Sequence, residues 1–352
     1  MRVAQGDQAG LAAREESLVR VAARLTLTLG APRPAIFWLD LLGSAGLGYL
    51  ALATACSDVA VSIRLLAGAA SILALYRAES FIHELCHLKS GAVRGFPLAW
   101  NLLIGIPLLT PSFLYDGVHN LHHARTRYGT AEDPEYLRLA AMSPWMLPMS
   151  VAMASFAPLL LIVRFALLAP LSAIVPPLRR ILVERFSALT INPAFRREPP
   201  RGQQRRQWIL LESAASAWAI AVLAGAIAGL IPLRVLLTGA AVLSGIAVLN
   251  QIRTLAAHLW ESDGEPLSVT EQYLDSVNVP PPGWLPELWA PVGLRYHALH
   301  HLLPGIPYHR LGEAHRRLTS ALPPGSGFER ADHRGLASAL LRLVRASGRS
   351  TA

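Results

Sequence analysis

Apolar residues run along this chain in long blocks, rather than in the alternation of a half-buried strand or the narrow stripe of a surface helix. Residues 35–60 form one block with a single acid at Asp40, and residues 61–80 a second, interrupted by Arg64. Residues 208–231 and 232–250 form another pair, divided at Pro232 and Arg234. A helix rises about 1.5 Å per residue, so roughly 20 apolar residues match the ~30 Å hydrocarbon layer of a bilayer. The pattern therefore predicts an all-α integral membrane fold with about four transmembrane helices arranged as two hairpins. Two further apolar stretches fit less well. Residues 97–113 are short for a span and carry three prolines, and residues 145–175 are broken by Pro148, Pro158, Arg164 and Pro170. Both are expected to be re-entrant or interfacial.

Polar sequence between and after these blocks predicts a helical cap outside the bilayer. We divide the chain into an N-terminal segment, 1–34, in which residues 18–29 suit an interfacial helix, a membrane domain, 35–320, and a tail, 321–352. Composition agrees, because 53% hydrophobic and 16% charged residues exclude an ordinary soluble enzyme. The net charge of +9 is almost all arginine, Lys89 being the only lysine. Eight arginines lie between Arg179 and Arg206, and Arg2, Arg14, Arg20 and Arg24 precede the first block. By the positive-inside rule these segments, and with them the cap, are expected on the cytoplasmic side. Such flanking charge suits anionic lipid headgroups and not nucleic acid. No cleavable signal peptide is visible in the first 34 residues, and the two cysteines, Cys56 and Cys86, suggest no disulfide framework. Neither a fixed-period repeat nor a phosphate-binding glycine loop is present.

The chemistry lies in the histidines. Eight of twelve fall in three clusters, His83-Glu84-Leu85-Cys86-His87, His119-Asn120-Leu121-His122-His123 and His297-Ala298-Leu299-His300-His301. Residues three and four apart share a helix face, so each cluster presents two or three imidazoles together. A lone histidine is more often a surface or core residue than a ligand, but scattered histidines do not repeat H-x-x-H-H. Imidazole nitrogen suits iron, zinc, copper and nickel alike. Zinc takes three or four protein ligands, so eight histidines suggest two metal ions. The first cluster also satisfies the zinc-protease pattern H-E-x-x-H, a reading that leaves six clustered histidines unused. A metal-bound histidine usually gives its other ring proton to a carboxylate or carbonyl. Among Glu84, Asp116, Asp133, Glu135, Glu261, Asp263 and Asp275, we expect Glu84, Asp116, Glu261 and Asp275 to serve. His309, His315 and His333 lack ligand spacing and are expected outside the site.

The three clusters, their order and their placement beside paired spans resemble the membrane fatty acid desaturases, within the wider desaturase and hydroxylase superfamily. Asp116-Gly117-Val118, Arg253-Thr254-Leu255-Ala256-Ala257-His258, Asp275-Ser276-Val277-Asn278 and Leu303-Pro304-Gly305-Ile306-Pro307-Tyr308-His309 resemble bacterial members. The likeness covers roughly residues 35–320. It implies a metal-ligand set of His83, His87, His119, His122, His123, His297, His300 and His301, with His258 as a ninth, although a histidine at a helix end also has a plain capping role. Animal acyl-CoA desaturases carry an asparagine four residues before the equivalent of His258, where this chain has Thr254. The resemblance further implies two Fe ions (Fe2+/Fe3+), O2 as co-substrate, and a long-chain acyl lipid or acyl thioester as substrate. The expected reaction is desaturation at the cytoplasmic face of a bacterial inner membrane. No haem, flavin or nicotinamide motif is visible, so the electrons are expected from an external ferredoxin or cytochrome-type donor. The alternatives are a hydroxylase, ketolase or alkane monooxygenase of the same superfamily and, more distantly, a metal-ion transporter.

Overall fold

The structure, a computed structural model, describes residues 18–323 and 326–350; Arg2 and Arg14 lie outside them. It is helical, with only isolated bridges and no strand among the described residues. Five helices are long and apolar enough to cross a membrane: α1 (Pro34–Cys56), α2 (Val61–His87), α3 (Ala157–Ile174), α4 (Gly202–Ile227) and α5 (Leu233–Ala257). Pro34 stands in the first turn of α1 and Pro232 immediately before α5, positions where a missing N–H costs the helix nothing.

α3 is the helix the hydropathy reading did not count as a span. Its prolines do not break it, because Pro158 falls in the first turn and Pro170 follows a π-helical stretch, Val163–Leu168, where the hydrogen-bond register has already shifted. The stretch before it begins near the cap, where Leu147 packs with Tyr128, Tyr136 and Trp260. It then reaches the middle of α5, where Ser244 Oγ donates to the Ser155 carbonyl at 2.7 Å. The Phe96–Gly105 helix is too short to cross. It turns back on itself, with Asn101 Nδ2 donating to Ser112 Oγ and Asn101 Oδ1 accepting from the Ser112 N–H.

Several charged residues inside the apolar blocks are paired. Arg77 donates to both oxygens of Asp40 at 2.7 and 2.6 Å, and Tyr308 adds a third donor at 3.0 Å, so α1, α2 and the cap meet at one carboxylate. Glu212 of α4 accepts from Arg164 of α3 and from Arg179. α1 and α2 come close where Gly48 faces Leu75, and Ser71 Oγ donates to the Gly48 carbonyl. Many leucines on α1 and α2, among them Leu39, Leu47, Leu50, Leu65 and Leu66, remain exposed, as lipid-facing positions do. Helical residues 18–29 bury Leu18, Ala22, Leu25 and Leu29 against Leu299, Leu302, Leu303, Ile306 and Leu311 of the cap.

Candidate metal centre

The first histidine cluster sits at the end of a membrane-length helix, and the other two form short helices of the cap. His83 and His87 are four residues apart at the end of α2. Gly117, with φ +74°, makes a left-handed turn that an L side chain rarely adopts, and it starts the short helix His119–His122. His258 is the first extended residue after α5. It is followed by Trp260, held at φ +62° and buried, with its indole Nε1 donating to the Leu255 carbonyl. His297–Leu302 forms a further buried helix. The segment Asp275–Val279 runs between these last two: the Val277 N–H donates to Ala257, the Leu259 N–H to Asp275, and the Ala298 N–H to Val277. Asn278 completes the seam, its side chain accepting from the Leu299 N–H and donating to Asp332.

All nine histidines converge, in two groups. His83, His87, His119, His123 and His300 form one, and His122, His258, His297 and His301 the other; within each, the nearest ring nitrogens lie within 4.8 Å of one another. The groups adjoin, the rings of His123 and His301 being stacked at 4.3 Å. The second group is wholly buried, whereas His87 and His123 of the first are only partly buried. Neighbouring Nε2 atoms stand close: 2.9 Å for His119 and His123, 3.1 Å for His300 with both His87 and His123, 3.0 Å for His258 and His297, and 3.2 Å for His297 and His301. Nitrogens about 2.1 Å from one ion and at right angles to each other would be about 3 Å apart. Both ring nitrogens of His83 are buried without a partner, a costly arrangement for a polar group that binds nothing. The residues present therefore fit two metal ions, and the all-imidazole set suits a transition metal rather than calcium or magnesium.

The protonation of the set fits as well. Burial, reinforced by neighbouring imidazoles, holds His119, His123, His258, His297, His300 and His301 well below the usual histidine range, so they stay neutral. Burial pushes His122 the same way, but the Asp133 carboxylate outweighs it and raises the pKa by stabilising the charged ring, the one exception in the set. Both Asp133 oxygens lie within 3.0 Å of His122 Nδ1. Glu135 contacts His119 Nδ1 at 2.9 Å and also accepts from Tyr115 Oη at 2.6 Å. His258 Nδ1 meets Tyr128 Oη at 2.8 Å and Ser276 Oγ at 3.1 Å, and Tyr128 donates in turn to Asp275. Burial raises the Asp275 carboxyl to about 6.

Of the four carboxylates expected to support the histidines, Asp275 alone reaches one, and only through Tyr128. Glu84 instead accepts from the Tyr308 N–H. The Asp116 carbonyl, not its carboxylate, is engaged, by Arg197. Glu261 faces Arg342 at the surface. Asp133 and Glu135, which do contact ring nitrogens, belong to the polar run after the second cluster, and their Asp-Pro-Glu turn is the signal that sequence reading passed over. Asn192 holds that turn by donating to the Asp133 and Ala131 carbonyls. His309, His315 and His333 lie outside both groups, His315 against Asp332.

Comparison with known proteins narrows the chemistry. The family model described as fatty acid desaturase matches residues 59–331, a stretch that holds all nine histidines. A protein of Caulobacter vibrioides (strain NA1000 / CB15N) named ceramide hydroxylase is 49% identical over 333 residues, covering 95% of each chain. No solved structure matches. The chain thus belongs to the fatty acid desaturase family, within the superfamily of membrane desaturases and hydroxylases.

Proposed function

We propose that the chain is a membrane hydroxylase that inserts one oxygen atom of O2 into a C–H bond of a ceramide or a closely similar long-chain lipid. The observation that carries this is the near full-length likeness to a ceramide hydroxylase. It favours hydroxylation, an alternative within the superfamily, over the desaturation expected from the resemblance of the flanking stretches to bacterial desaturases. The clusters themselves do not distinguish the two outcomes, because both remove hydrogen from an unactivated carbon and part only in the next step, oxygen insertion or loss of a second hydrogen.

In this reading the nine histidines hold two irons. Such a pair would supply the dioxygen activation that no side chain can provide unaided. The chain contributes placement and environment. Asp133 and Glu135 keep Nδ1 of His122 and His119 protonated, which turns Nε2 towards the metals. Tyr128 orients His258 in the same way. Burial of the second group keeps bulk water away. The second oxygen atom leaves as water with two electrons and two protons, delivered by an external ferredoxin or cytochrome-type donor. The arginine-rich flanks favour a cytoplasmic position for the cap, on the side where such donors reside.

Expression in a ceramide-producing host with a compatible donor tests the reading. Mass analysis of total lipids should find a product heavier by one oxygen atom, labelled when 18O2 is supplied, and absent with His119→Ala or His300→Ala. A product lighter by two hydrogens and free of label would mean desaturation.

A further inference from the structure

Away from the histidines, a cavity of about 460 Å³ opens between α3 and residues 185–196. Its wall is apolar at Leu160, Leu161 and Phe186, and it bears three guanidinium groups, Arg164, Arg185 and Arg196, with no carboxylate. Arg164 is 6% exposed within an otherwise apolar helix. Its Nε donates to the Phe186 carbonyl and its Nη2 to Glu212, while Nη1 is buried with no partner. Glu212 is shared with Arg179, so one carboxylate serves two arginines and the cluster keeps a net positive charge. Arg196 donates only to the carbonyls of Pro193 and Phe195, which do not neutralise it. Leu160 and Phe186 are both 55% exposed, so the apolar wall continues outward from the cavity along α3.

Positive charge set in an apolar wall, at the edge of a membrane helix, asks for an anion that carries a hydrocarbon chain. We propose that this cavity binds an anionic phospholipid, its phosphate between Arg185 and Arg196, with the buried Arg164 adding positive charge to the wall, and its acyl chain along Leu160 and Leu161. A free phosphate would satisfy the charges but gain nothing from the leucines. The site is independent of the oxidation chemistry. It nevertheless shares a wall with the centre's support, since Asn192, which holds the Asp133 turn, also lines the cavity.

Native mass spectrometry of the full-length protein, released from nanodiscs that mix phosphatidylglycerol with phosphatidylcholine, reads out the retained lipid. The wild type should keep phosphatidylglycerol. The double variant Arg185→Glu/Arg196→Glu should keep about tenfold less or lower. Arg201→Glu, exposed and off the cavity wall, should match the wild type. If the double variant fails to fold, Arg185→Gln alone should still reduce retention by about fivefold. Equal retention of phosphatidylcholine, an equal loss in Arg201→Glu, or full displacement of the lipid by excess inorganic phosphate would overturn the proposal, the last in favour of a free-anion site.

Discussion

At the scale of single residues, the support of the histidines separates two kinds of carboxylate. Asp133 is fully buried; besides His122, it accepts from the backbone N–H groups of Gly129 and Glu135. Asp133→Asn keeps the shape but offers an N–H where the ring also presents one. Metal affinity should fall by about 10- to 100-fold, measured as iron retained against a graded chelator series. Glu261→Gln should retain iron like the wild type, because the Glu261 carboxylate is bonded to the surface residue Arg342 and not to a histidine; an equal loss in the two variants would refute this assignment. The eight clustered histidines were legible in the sequence because their spacing is helical and local, whereas His258, which stands alone, was legible only through the resemblance of the stretch around it. Their partners were not, since the contact of Asp133 with His122 depends on a turn, braced from residue 192, that no periodicity announces.

Among the helices, contact between α1 and α2 depends on the absence of a side chain. A Cβ on Gly48 would lie 2.6 Å from Leu75 Cδ2 and 3.2 Å from its backbone nitrogen, whereas Gly46, two residues away, has nothing within 4 Å. Gly48→Ala must therefore force the hairpin apart, at a cost of about 1–3 kcal/mol. Gly46→Ala should be neutral, or stabilising by about 0.5 kcal/mol, through reduced chain entropy. Thermal unfolding in detergent distinguishes them, and equal melting temperatures would rule out close packing at Gly48. Hydropathy made four of the five long helices legible, together with the odd charges Asp40 and Arg64. Residues 145–175, read as re-entrant or interfacial, hold the fifth, α3, in which Pro158 stands in the first turn and a π-helical stretch precedes Pro170. Hydropathy does not reveal that Asp40 is bound by Arg77 and Tyr308.

For the molecule as a whole, the two histidine groups differ in access: one is wholly buried and the other reaches the surface at His87 and His123. Chelation of the iron-loaded protein should therefore proceed in two phases, the five-histidine group emptying first, as followed by iron content and by spectroscopy of the remaining ion. A single phase releasing both together would contradict this asymmetry. Each phase should lower the melting temperature, since ions that bind only the folded chain stabilise it. The groups also draw on residues far apart in the chain, from His83 to His301, and the helix at residues 18–29 packs on the last cluster. Translation therefore releases the first histidines long before their partners exist. No complete site can form on the ribosome until residue 301 has emerged and α5 is in place, so on the proposed reading metal loading would be a late step of biogenesis that the earliest-made helix waits to close.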